Sequence, residues 1–123
     1  MEKRTATLLL SGLILIFTTQ AVSAQDRAQG KKLYSMYCAS CHGDSGRGDG
    51  PASKSLPVKP ANHEDRSVMS QLSDKALLEI ISNGGNATGK SAFMPAWGGQ
   101  LKEQEIMDLI SFVRSLAEAP AKP

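Results

Sequence analysis

Apolar positions along the chain follow two patterns: one nearly unbroken run at the start, and three later stretches with helical spacing. The run is "ATLLLSGLILIF", Ala6 to Phe17, preceded by a charged start with Lys3 and Arg4 and followed by "AVSA" with Val22 and Ala24. That is the order of a secretory leader over residues 1–24, with cleavage expected between Ala24 and Gln25. The alternative is an uncleaved anchor, because Thr5 to Ala24 is just long enough to span a bilayer. Residues 25–123 are then an exported chain of 99 residues, enough for one domain with a modest core. A short disordered tail is expected from about residue 118.

The three periodic stretches predict helices. Residues 27–40 place Leu33, Tyr34 and Tyr37 on one face. Gly30 costs that helix up to about 1 kcal/mol relative to Ala, which suits a site where another helix comes close. Residues 74–82 follow Ser73, a good N-cap, present Leu77, Leu78 and Ile81, and meet a stop signal in "NGG" at 83–85. Residues 103–117 carry Ile106, Leu109, Ile110, Val113 and Leu116 at the spacing of a buried stripe. Two stretches lack a period. "GDSGRGDGPASKSLPVKPAN", 43–62, has four glycines and three prolines and reads as a long loop; "SAFMPAWGGQL", 91–101, reads as a shorter one. The fold class expected is all-α, three to four short helices.

Charge changes this picture little. The 99 residues carry twelve basic and eleven acidic side chains, with no basic face or polybasic tail, so nucleic acid is not an expected partner. The basic excess falls in residues 25–60, six against three, and the acidic excess in 61–123, eight against six. Such a dipolar surface can steer a charged partner. Asp44 and Asp49 do not have the spacing of a calcium loop, and the sequon Asn86-Ala87-Thr88 is read as coincidence in a bacterial export product.

The chemistry lies in "MYCASCHGDSG", which holds both cysteines of the chain. A disulfide is the default for two cysteines in an exported protein, but Cys38 and Cys41 would close a loop too short to stabilise much. A thioredoxin-like pair needs a strand and helix context that is missing here. Zinc would have only Cys38, Cys41, His42 and the distant His63, a spacing that matches no finger or ribbon. Covalent haem attachment through C-x-x-C-H remains. On a helical turn, positions i, i+3 and i+4 share a face, so both thiols and the imidazole point the same way. A second axial ligand would come from Met36, Met69, Met94, Met107 or His63. Met36 is too close to Cys38 to reach across a porphyrin, Met107 sits in a helical stripe, and Met69 reads as a buried gap filler. Met94 is favoured: Pro95 keeps it extended and Gly98-Gly99 ends its segment in a turn. His63 reads as a solvated loop residue.

Three blocks, "GKKLYSMYCASCHG", "SDKALLEIISNG" and "FMPAWGGQLKEQEIMDLISFVRSL", resemble in their order the class I c-type cytochromes, small monohaem bacterial ones above all. They are also similar to the haem domains of oxidase and dehydrogenase subunits, such as those of the oxidase subunit III kind. The resemblance covers roughly residues 28–117. It implies the class I cytochrome c fold around one haem c bound by Cys38 and Cys41, with His42 proximal and Met94 distal. It also implies a crossing of the first and last helices at Gly30, where Phe112 or a neighbour comes near, and a loop carbonyl for the proximal histidine, from Pro51, Pro57 or Pro60. Lys102 departs from the Ser or Thr that often caps the last helix in this family.

The function implied is one-electron transfer with no catalysis by the chain itself. The expected protein is a periplasmic, monomeric carrier that docks transiently with a dehydrogenase or oxidase, helped by Lys54 or Lys59 and meeting membrane only through a partner or an uncleaved leader. The alternatives are a haem subunit of a larger complex, and a peroxidase or gas-binding protein in which Met94 is not a ligand and His63 is the one histidine left for distal chemistry.

Overall fold

The computed structural model describes residues 24–118. The expected leader and tail lie, but for Ala24 and Glu118, outside the described residues. Those residues form five α-helices and no strand: α1 Arg27–Tyr37, α2 Ala39–His42, α3 Arg66–Met69, α4 Asp74–Ala87 and α5 Glu103–Glu118, with a 3-10 turn at Pro51–Ser55. None is long and apolar enough to cross a membrane.

The core forms where α1 crosses α5. Leu33 and Tyr34 from α1 pack with Ile106, Leu109, Ile110, Phe112 and Val113 from α5, joined by Met69, Leu77, Ile81 and Leu101. Gly30 makes the crossing possible, and of the expected partners, Phe112 or a neighbour, the one that comes near is Asp108, one turn before Phe112 on α5. A Cβ at position 30 would overlap the backbone carbonyl of Asp108, so backbone, not an aromatic side chain, occupies the approach. Asp108 is itself buried, and its Oδ1 accepts from the Asp26 N–H at 2.8 Å and from Gln104 Nε2 at 3.0 Å.

Element ends follow local chemistry. Ser73 caps α4, its Oγ accepting from the Ala76 N–H at 3.1 Å. Lys102 offers α5 no side-chain acceptor, and the cap is completed from the other side: the Glu105 carboxylate accepts from the Lys102 N–H at 2.8 Å, half of a capping box. The predicted first helix breaks at Cys38 (φ −117°), and α2 restarts one residue later. The stop signal in α4 acts at Gly84, whose φ of 77° interrupts a helix that then makes one further turn to Ala87. On α5, Arg114 Nε donates to Asp74 at 2.9 Å and its Nη1 to the Met69 carbonyl at 2.6 Å, with Nη2 bonding the Leu72 carbonyl, which ties down the α3–α4 connection.

Candidate functional site: a cleft around the Cys-x-x-Cys-His turn

The restart at Cys38 positions the thiols. The Cys38 N–H still donates to the Tyr34 carbonyl at 2.9 Å, and the Cys38 carbonyl accepts from the N–H groups of Cys41 at 3.2 Å and His42 at 2.9 Å. The result is one tight turn carrying Cys38, Cys41 and His42. Both cysteines are free thiols and half-buried. Burial pushes the Cys38 thiol up to about 12, with a smaller contribution from Cys41.

Beyond the turn the chain folds back through glycines. The N–H of Gly48 reaches the His42 carbonyl at 2.8 Å, and that of Gly50 the Cys41 carbonyl at 3.1 Å. A Cβ on Gly48, whose φ is 72°, would overlap the Pro60 carbonyl. This close pass lays residues 58–63 along the turn and sets a carbonyl before His42. That carbonyl is not from any of the three prolines: His42 Nδ1 lies 3.1 Å from the Ala61 oxygen, one residue past Pro60. The ring nitrogen facing a carbonyl carries the proton, so His42 is the Nδ1–H tautomer with Nε2 free. Burial lowers the His42 pKa, opposed in part by this bond.

Met94 is placed by the break in α4. Where the helix stops at Gly84, the carbonyls of Ile81 and Ser82 lose their helical donors, and the N–H groups of Trp97 (2.9 Å) and Gly98 (3.0 Å) take their place. The Gly85 N–H donates to the Met94 carbonyl at 3.0 Å. A Cβ on Gly85 would overlap the Ser91 carbonyl. Three backbone bonds thus bind the Met94 loop to the end of α4, and Trp97 packs on Tyr37 at 5.1 Å between ring centroids.

These segments surround one cavity of about 520 Å³. Cys38, Cys41, His42 and Met94 all line it, with Leu77, Ile81, Leu109 and Val113 among the apolar wall residues. Among the described residues, Lys59 and Lys90 are its only charged lining residues. Met36, Val58 and Phe93, all more than half exposed, stand among its lining residues. Lys54 is exposed on the 3-10 turn and does not line the cavity. Of the other methionines considered, Met69 is 2% exposed in the core, as a gap filler would be, and Met107 is half-buried on α5.

The placement of His63 corrects the expectation of a solvated residue. Its ring is half-buried and stacked on His42, with centroids 4.3 Å apart and an interplanar angle of 19°. Beside His42, it is not placed for distal chemistry. Nothing in "PANHEDR" signals this contact, because the partner is twenty-one residues away.

A small all-helical chain that encloses an apolar cleft and lines it with a Cys-x-x-Cys-His turn and a loop methionine has the architecture of a c-type cytochrome. The comparisons agree. Residues 25–113 match the family described as cytochrome c oxidase, cbb3-type, subunit III. The chain is 34% identical to cytochrome c6 of Nostoc sp. strain PCC 7120 over 98% of its own length and 99% of that protein's. It is 32% identical to the cbb3-type cytochrome c oxidase subunit FixP of Bradyrhizobium diazoefficiens over 74% of its own length, but spans only 28% of that subunit. Among solved structures, the KustC0563 c-type cytochrome superposes with a TM-score of 0.58 at 25% identity, covering 71% of this chain and 95% of that one. The chain belongs to this family: it is a class I monohaem c-type cytochrome. Its cofactor is covalently bound haem c.

The residues present fit that group. Two unpaired thiols on one turn, an imidazole with its second nitrogen already satisfied, a thioether held by backbone bonds and a large apolar cavity are what a covalently attached, twice-ligated haem requires.

Proposed function

We propose that the chain is an exported one-electron carrier in which Cys38 and Cys41 form the thioethers to haem c, His42 is the proximal axial ligand and Met94 the distal one. The observation that supports this is the convergence of all four side chains on one apolar cavity. When bound, the haem supplies a one-electron iron couple. The Ala61 carbonyl holds the Nδ1 proton of His42, which leaves Nε2 as the donor atom and raises its basicity. The bonds from Gly85, Trp97 and Gly98 hold the Met94 segment against α4, and a thioether in this position raises the potential above that of a bis-histidine site. Leu77, Ile81, Leu109 and Val113 exclude water from the cavity. A haem iron held by both His42 and Met94 would have no coordination site left for a substrate, so that the chain would catalyse nothing by itself.

Electrons then pass at the rim, where Met36, Val58 and Phe93 give an apolar contact and Lys59 and Lys90 a positive charge. A redox protein with an acidic, partly apolar face fits this rim in a weak, transient complex, and the carrier is periplasmic and monomeric. The match to an oxidase subunit family favours a second reading, a haem subunit held permanently in a larger assembly. The full-length similarity to cytochrome c6 favours the free carrier.

The visible spectrum of the purified protein, oxidised and reduced, with and without carbon monoxide, tests the ligand set. His42/Met94 ligation gives a low-spin c-type spectrum with the weak long-wavelength sulfur-to-iron band and no response to the gas, whereas Met94→Ala loses the band and binds carbon monoxide. A wild-type protein that is high-spin and shifts with the gas would mean an open iron.

A further inference from the structure

We propose that His63 is a positioning residue for the proximal ligand: its imidazole clamps the ring of His42 face to face and so sets the plane in which that ring meets the iron. The inference rests on the reading of His42 as axial ligand.

One hydrogen bond does not define the orientation of a ring. The Ala61 carbonyl fixes the Nδ1 edge of His42 at 3.1 Å but leaves the ring free to tilt about that contact. The stack with His63, at 4.3 Å and 19°, removes this freedom, because a tilt of either ring breaks van der Waals contact across the whole face. His63 can act as a clamp because it is itself held. Its N–H donates to the Gly46 carbonyl at 2.6 Å. Its ring meets the edge of Tyr34 at 6.0 Å, and its Nδ1 faces the Tyr34 hydroxyl at 3.5 Å. Tyr34 is 1% exposed, donates its hydroxyl proton to the Gly43 carbonyl at 2.9 Å and packs on Phe112 at 5.1 Å. A rigid path therefore runs from the α1–α5 core through Tyr34 and His63 to the ring of His42.

The role separates from simple packing in the electronic structure of the oxidised iron, which depends on the orientation of the axial imidazole plane. The experiment compares wild-type holoprotein with His63→Ala and His63→Phe by proton NMR of the haem methyls, electron paramagnetic resonance, and redox titration. His63→Ala is expected to redistribute the methyl shifts and g values, and to change the oxidised-to-reduced ratio at fixed potential by about threefold or more, with the Met94 band retained. His63→Phe, which keeps a flat ring, is expected to restore the wild-type methyl pattern. If the Ala variant does not hold haem, His63→Leu, similar in bulk but without a ring plane, replaces it. An Ala or Leu variant with the wild-type methyl pattern and g values overturns the proposal alone, as does a Phe variant no nearer wild type than Ala. A wild-type protein without His42 ligation overturns the underlying reading and the proposal with it.

Discussion

Gly30 and Gly48 each stand where a carbonyl from elsewhere in the chain comes too close for any side chain: Asp108 in one case, Pro60 in the other. At Gly30 the conformation is ordinary helix, so the requirement is purely one of space. Gly30→Ala is therefore expected to force α1 away from α5 and to destabilise the holoprotein by about 1–3 kcal/mol, even though Ala is the better helix former by about 1 kcal/mol. Denaturant unfolding measures it, and a variant as stable as wild type would show that the crossing is looser than described. His42 shows the same dependence on distant backbone in a functional setting. Its tautomer follows from one carbonyl nineteen residues away.

Among the elements, α4 links sequence to site most directly. Its apolar face and Ser73 cap build an ordinary helix, and the glycines that end it free the carbonyls that bind the Met94 loop. The stop signal is thus also an anchoring signal. Helix α3 depends on Asp65, whose carboxylate accepts from the Ser67 hydroxyl at 2.6 Å and from the N–H groups of Ser67 (2.9 Å) and Val68 (3.3 Å). The Ser67 hydroxyl first, then the Val68 N–H, hold its pKa below the ordinary 3.8. A carboxylate with a depressed folded pKa contributes stability that is complete above its unfolded value and is lost as pH falls through the folded one. Asp65→Asn keeps a capping acceptor without a titrating charge. Thermal unfolding of this variant is expected to show a flatter decline below about pH 4 than wild type, and identical acid limbs would mean that the cap does not contribute.

At the scale of the molecule, the cavity is as important as the core. A chain of this size with so few aromatic residues packs its helices around a space of about 520 Å³ rather than closing it, and the porphyrin supplies the missing apolar body. Among the described residues, the only charges on the cavity lining, Lys59 and Lys90, come from the two loops that carry Ala61 and Met94. Electrostatic steering of a partner to this rim predicts that Lys59→Glu with Lys90→Glu slows electron transfer to an acidic partner severalfold at low ionic strength and little at high salt. Stopped-flow mixing across a salt series measures this, and rates insensitive to both charge and salt would place docking elsewhere. Lys54→Glu, away from the cavity, serves as the control.

Local spacing alone determined much of this protein. Three of the helices, the cap at Ser73, the shared face of Cys38, Cys41 and His42, and the presentation of Met94 before Pro95 were all legible, because each depends on residues within about one helical turn of each other. The stop in α4 was legible for the same reason, and the half capping box at Lys102 was available in "KEQE". Tertiary structure decided the rest. The carbonyl for His42 came from Ala61 and not from a proline, the atom that meets Gly30 was the backbone carbonyl of Asp108 rather than a side chain, and His63 left the solvent to lie against His42. Each of these contacts joins residues about twenty or more positions apart, across a glycine-rich loop or a helix crossing. Their geometry depends on the exact path of the backbone, to which a one-residue change in phase makes all the difference, and periodicity does not encode that path.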